Sequence, residues 1–126
     1  MTMSSSDLTA IASKARTERG NLIASTKTDA EAAYIAANAA AEEVYNASRS
    51  RAYAAYAAAL DGGAYAAADA AGRYAIYIAA YAVLADSVED AEIARDAALD
   101  ANYARYLASC AAADAIWPGA VAESTP

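Results

Sequence analysis

Histidine is absent from this sequence. With it go the commonest general base and the commonest metal ligand, so His-dependent catalytic triads and Glu-x-x-His di-metal bundles are excluded. A lone cysteine, Cys110, cannot close an intramolecular disulfide, which suits a reducing compartment, and no histidine exists to activate its thiol. Phenylalanine is absent as well, although the chain carries ten tyrosines and one tryptophan. Both prolines, Pro118 and Pro126, stand at the very end, so the strongest helix breaker is missing from everything before them. The five glycines form neither a phosphate-binding loop nor a G-x-G-x-x-G turn, and no D-x-[DN]-x-[DN]-G calcium loop is present. No cofactor, no metal and no catalytic residue is expected; the sequence reads as that of a protein that is not an enzyme.

What fills the chain is alanine, about a third of the 126 residues. Alanine is the best helix former and loses no side-chain entropy on ordering. Its methyl also offers little surface, at roughly 25 cal/mol per Å² of apolar area buried, so a 59% hydrophobic content overstates the core. A chain of this length has room for one domain, strong in local propensity and poor in core energy. Oligomerisation is the natural remedy.

Helix signals follow one another without a competing strand pattern. Ser4-x-x-Asp7 opens a first helix near 5–19, and Gly20-Asn21 offers a stop. Thr28 to Glu31 forms a capping box for a second helix running to Leu60. Asp61-Gly62-Gly63 then supplies residues free to adopt positive φ. A third helix spans about 64–85, with Gly72 inside it as the mark of a close helix crossing. Ser87 to Asp90 forms a further box, opening a fourth helix that ends at Trp117 before Pro118-Gly119. Neither Gly nor Pro separates the third helix from the fourth, so their fusion into one bent rod stays open. The expected fold is all-α: an antiparallel bundle of three long alanine-rich helices with a short N-terminal helix attached. The expected organisation is a basic arm at 1–27, a helical bundle at 28–117 and a flexible tail at 118–126.

The tyrosines are spaced, not scattered. Tyr34, Tyr45 and Tyr56 recur every eleven residues, which is three helical turns at 3.67 residues each, so their rings share one nearly straight stripe. Tyr53 and Leu60 extend it, and Tyr74, Tyr77, Tyr81 and Leu84 make a second stripe. Residues 74–85 are apolar all round, which predicts the most buried element of the fold. Tyr103, Leu107, Cys110 and Trp117 share one side of the last helix. Ten hydroxyls are hard to satisfy inside so narrow a bundle, and tyrosine is enriched where one end of the ring stays wet and at subunit contacts. Tyr34, Tyr45, Tyr53, Tyr56, Tyr74, Tyr77, Tyr81, Tyr103 and Trp117 are therefore the candidates for core and self-association.

Charge is unevenly distributed. The net charge is −7, yet residues 1–27 carry Lys14, Arg16, Arg19 and Lys27 against Asp7 and Glu18. The rest carries five arginines against fourteen carboxylates. Glu89, Glu92, Asp96 and Asp100 recur at helical spacing and make one acidic face. Such a row is a solvated surface or a mimic of phosphate facing a basic protein, while the basic arm is expected to dock on the acidic body of a neighbouring copy. Nucleic acid is not an expected partner, because stacking platforms sit in positive grooves and this body is acidic. The longest uncharged run, 74–85, falls short of the roughly 20 residues that span a bilayer, so no membrane span is expected. The first residues lack the basic and apolar regions of a signal peptide, which points to a cytoplasmic or virion-associated protein.

The stretches Ala52-Tyr53-Ala54-Ala55-Tyr56-Ala57-Ala58-Ala59 and Gly63-Ala64-Tyr65-Ala66-Ala67-Ala68-Asp69-Ala70-Ala71 resemble the small alanine- and tyrosine-rich proteins of tailed bacteriophages. The resemblance is compositional, covers roughly residues 30–115, and implies a viral accessory or virion-associated origin without assigning a role to any residue. The expected function is a non-catalytic helical protein that associates with itself through Ala-Tyr faces as an oligomer, filament or virion component. The alternative is an acidic inhibitor that binds a basic host nucleic-acid enzyme through the carboxylate face.

Overall fold

The structure, a computed structural model, describes residues 2–116. Those residues are almost wholly helical: α1 is Ser5–Asp61, α2 is the short Gly63–Ala67, and α3 is Ala70–Ile116. The all-α class holds. The arrangement has two long helices, not three, because two expected boundaries are absent. Trp117 and the 118–126 tail lie outside the described residues.

The start of α1 follows the sequence closely. The Ser4 hydroxyl accepts from the Asp7 amide at 3.1 Å, and the Asp7 carboxylate accepts from the Ser4 amide at 3.3 Å. Two of the orphan amides at the helix start are thereby satisfied. Gly20 does not stop the helix, and α1 passes straight through it. A stop needs a residue that leaves helical geometry, and no glycine among the described residues adopts positive φ. Nor is Thr28 a cap. Its hydroxyl donates to the Ala24 carbonyl one turn back at 3.0 Å, as Thr9, Thr17 and Thr26 do to theirs. Ser87 likewise sits inside α3, so the expected third and fourth helices are one.

The turn between α1 and α3 is made differently from the expected one. Gly62 is extended at φ −71 and ψ 159, not left-handed. It is needed for closeness: a Cβ there would stand 3.3 Å from the Ala58 carbonyl oxygen. The five residues of α2 follow, and Asp69 then caps α3. Its carboxylate accepts from the Gly72 amide at 2.8 Å, and a Cβ on Gly72 would press on that carboxylate at 3.2 Å. Gly72 therefore marks a cap and not a helix crossing. Arg73 closes the turn, donating to the Tyr65 and Ala66 carbonyls at 3.1 and 3.0 Å, with its guanidinium 5.5 Å from the centre of the Tyr65 ring.

The chain divides into two compact units. One is Ala37–Ala101, which contains the turn; the other joins Met1–Ala36 to Asn102–Pro126. In the 37–101 unit the half-buried positions of α1 include Ala41, Tyr45, Ser48, Ala52 and Tyr56, and those of α3 include Ala80, Ser87, Ala91 and Arg95 around the buried Leu84. In the other unit α1 contributes Thr26, Ala30 and Tyr34, and α3 contributes Asn102, Tyr106 and Ser109 beside the buried Ala113. Steps of four, four and three residues repeat through both sets, an eleven-residue period that keeps each seam on one side of its helix.

Two helices side by side leave each one a single face to bury. Leu84 and Ala113 are accordingly the only buried apolar side chains among the described residues. The expectation that 74–85 is the most buried element fails for the same reason. Tyr74 is 67% exposed, Val83 62% and Tyr81 54%, and only Leu84 in that run is enclosed. A helix that is apolar all round normally needs neighbours all round.

Candidate association surface

The eleven-residue tyrosine stripe of α1 faces α3 in both units. Tyr34 meets two rings of α3, Tyr103 at 6.0 Å and Tyr106 at 5.2 Å between centroids. Tyr56 meets Tyr77 edge-on at 6.5 Å, and Tyr77 stacks along its own helix on Tyr81 at 6.3 Å. Tyr45 meets no ring; the Arg95 guanidinium lies 4.3 Å from its centroid instead. Each contact lies in the range where aromatic and cation–π geometry adds to plain burial. Tyr53 stands outside the seam, half exposed, with the Arg49 guanidinium 5.5 Å from its centre.

Two of these hydroxyls are held in their neutral form. Tyr56 has a raised pKa because partial burial disfavours the phenolate, reinforced by the neighbouring Tyr77 hydroxyl. Tyr106 is raised first by a hydrogen bond shared with the Cys110 thiol. Cys110 is thus a half-buried hydrogen-bonding partner on a helix face. Tyr106, Arg95, Tyr65 and the Asp69 cap were not singled out from the sequence. A signal for two of them was there, since Leu84, Arg95 and Tyr106 recur every eleven residues.

The 37–101 unit presents several grooves beside its seam, among them a polar one lined by Ser48, Arg51, Ser87 and Asp90 and two with more apolar walls. One of these two, of about 360 Å³, is walled by Ala52, Ala55, Ala59, Ile76, Ala79 and Val83. It is smooth and apolar, and Ser87 is its one polar side chain apart from the Tyr56 hydroxyl. The other, of about 480 Å³, is walled by Tyr53, Tyr81, Leu84, Ala85 and Val88 and rimmed by Glu89 and Glu92. A small-molecule site normally sets a few convergent polar groups in an apolar cleft. Here the walls are small apolar residues and open rings, a surface suited to another helix.

The four carboxylates Glu89, Glu92, Asp96 and Asp100 are all exposed on α3. Asp96 accepts from the Arg95 side chain at 3.3 Å. Among the described residues no cluster of three acidic or cysteine side chains gathers at metal-binding distance, and no helix is long and apolar enough to cross a membrane. The basic residues Lys14, Arg16, Arg19 and Lys27 lie on α1 itself, not on a separate arm. Lys27 pairs with Asp114 of α3 at 2.8 Å, and Lys14 approaches Glu18 one turn on at 3.9 Å. The basic block is thus brought to α3 at Lys27. No protein-family model, curated protein or solved structure matches this chain.

Proposed function

We propose that this protein is a non-catalytic helical association protein whose copies bind one another through their alanine- and tyrosine-bearing faces. The observation that carries this reading is the exposure of its large apolar residues. Tyr74, Ile78, Tyr81, Val83 and Ile93 on α3, and Leu8, Ile11, Leu22, Ile35 and Val44 on α1, all stand open, while among the described residues only Leu84 and Ala113 are enclosed. Scattered apolar residues are normal on a surface, but contiguous apolar patches rimmed by charge mark contact sites. Each large side chain covered by a partner contributes on the order of 1.5–3 kcal/mol if fully buried. Two alanine-rich helices gain little of that from each other, so a second copy is the main source left.

An assembly of this kind suits the viral accessory or virion-associated origin that the resemblance to phage proteins implies. The test is the absolute mass in solution, by light scattering behind a sizing column across a concentration series. Masses that rise as multiples of the 12.8 kDa chain support the reading. A mass fixed at one chain at every concentration rejects it. The exposed carboxylates of α3 favour a second reading, an acidic face offered to a basic protein. That reading predicts a monomer that captures a basic partner with strong salt dependence.

A further inference from the structure

We infer that the occupant of the Tyr53–Tyr81–Val88 groove is the first part of α1, residues 8–19, from a second copy of this chain. The inference rests on self-association and names the two surfaces that meet. The groove offers half of a binding site: aromatic and aliphatic walls, and a carboxylate rim at Glu89 and Glu92. The start of α1 offers the complementary half. Leu8 and Ile11 are 55% and 53% exposed and share one helix face, flanked by Lys14 on one side and Arg16 on the other.

Charge decides the pairing. Residues 86–100 of α3 carry six carboxylates against Arg95, while residues 8–16 carry Lys14 and Arg16 and no carboxylate. Opposite potentials steer encounter and fix register, whereas two acidic faces set together repel. Length and order agree. Tyr81 to Glu92 and Leu8 to Arg19 each span eleven residues, about 16 Å of helix. Along the groove the apolar wall precedes the carboxylates, and along α1 the apolar pair precedes the cations, so the visiting helix runs parallel to α3. Leu8 and Ile11 then lie over Ala85 and Val88, and Lys14 and Arg16 reach Glu89 and Glu92. A continuous helix cannot bring residue 8 against residue 53 of itself, so the visitor is another copy. Docking places a third helix beside α1 and α3. The contact is heterologous, head to groove, and propagates as a ring or an open chain.

The experiment uses the full chain in three forms, each checked for helix content by circular dichroism: unchanged, Glu89→Lys with Glu92→Lys, and Lys14→Glu with Arg16→Glu. Scattering mass against concentration is expected to show each double variant associating at roughly tenfold higher concentration than the unchanged chain, and a one-to-one mixture of the two recovering most of the loss. A multimer that persists unaltered in both variants overturns this contact while leaving self-association standing. Loss in the variants with no recovery on mixing overturns it too. An unchanged chain that is monomeric throughout rejects self-association and this contact together. A cross-link between Ile11→Cys and Val88→Cys chains, each also carrying Cys110→Ala, reports the same pairing directly: disulfide dimers in the mixture support it, and their absence where the mixture associates overturns it.

Discussion

The 37–101 unit and the unit built from the chain's two ends hold their helices together by different means. In the first, Leu84 is the one buried side chain and α1 otherwise offers alanine, serine and two tyrosines to the seam. In the second, Tyr34 is wedged against Tyr103 and Tyr106, and Lys27 pairs with Asp114. The difference tracks chain connectivity. Around the turn, residues such as Tyr56 and Tyr77 are about twenty apart, so little loop entropy opposes their contact. Tyr34 and Tyr106 are separated by more than three times as many residues, and their contact forms only when everything between them is ordered. Rings meet across both seams, but the terminal unit, far from the turn, adds a second ring against Tyr34 and the Lys27–Asp114 ion pair.

The sharpest test sets one unit against the other. Leu84→Ala removes the enclosed side chain of the 37–101 unit and is expected to cost about 2–3 kcal/mol, the low part of the range for leucine truncation because the site lies beside an open groove. Tyr34→Ala should cost less, about 1–2 kcal/mol, since Tyr34 is only half-buried. The pattern matters more than the totals. Hydrogen exchange at matched protein concentration should show Leu84→Ala loosening helix amides of both units, and Tyr34→Ala loosening 26–36 and 102–113 alone. Equal, global loosening by both variants would erase the distinction between the units.

Smaller, and confined to the turn, is the effect of Asp69→Ala. The carboxylate accepts from the Gly72 amide, and losing such a cap costs about 1 kcal/mol. Asp69→Asn keeps an acceptor oxygen and should recover most of the loss, whereas Asp69→Ala should fray the first turn of α3, visible as faster exchange at Gly72 and Arg73. If the two variants behave alike, the cap is not what orders the turn.

Much of this architecture could be read from residue spacing. The capping pair Ser4 and Asp7, the helical class and the inward stripe of Tyr34, Tyr45 and Tyr56 all follow from local rules, and local rules operate the same way in a chain without context. What could not be read was how many helices there are. Gly20 looks like a stop, yet a glycine costs only up to about 1 kcal/mol inside a helix, less than ending one helix there and nucleating another. Thr28 and Ser87 carry cap chemistry, but threonine and serine can also serve mid-helix, with the hydroxyl turned back to a carbonyl as at Thr28. Asp69 shows the reverse: an acidic residue in an alanine-rich run with no capping-box partner three residues on, it nevertheless caps α3 through the Gly72 amide. For the association surface, the acidic row and basic block were legible as charge. The groove that Tyr53, Tyr81 and Val88 form beside Glu89 was not, because it depends on which faces α1 and α3 spend on each other.

The smallest effect expected is on the ion pair of the terminal unit, and pH isolates it. The Lys27 ammonium is held above its ordinary pKa by its hydrogen bond to Asp114, a gain that partial burial opposes. A raised folded-state pKa means that the pair's contribution is fully present below the unfolded lysine value, about 10.4, and fades as pH rises through the folded one. Tyr106 in the same unit also has a raised pKa, through Cys110 first, so its neutral form is favoured in the fold and its contribution fades in the same direction above about pH 10. Lys27→Met keeps the side chain's apolar stem and removes its charge. Urea midpoints of the unchanged chain and of Lys27→Met should therefore differ slightly near neutral pH and converge as pH rises through the folded lysine value. The remaining alkaline loss in Lys27→Met belongs to the tyrosines and should shrink further in Tyr106→Phe. A gap between the unchanged chain and Lys27→Met that stays constant across that window would mean that Lys27 acts through its stem alone. The terminal unit would then rest on its aromatic rings, without help from charge.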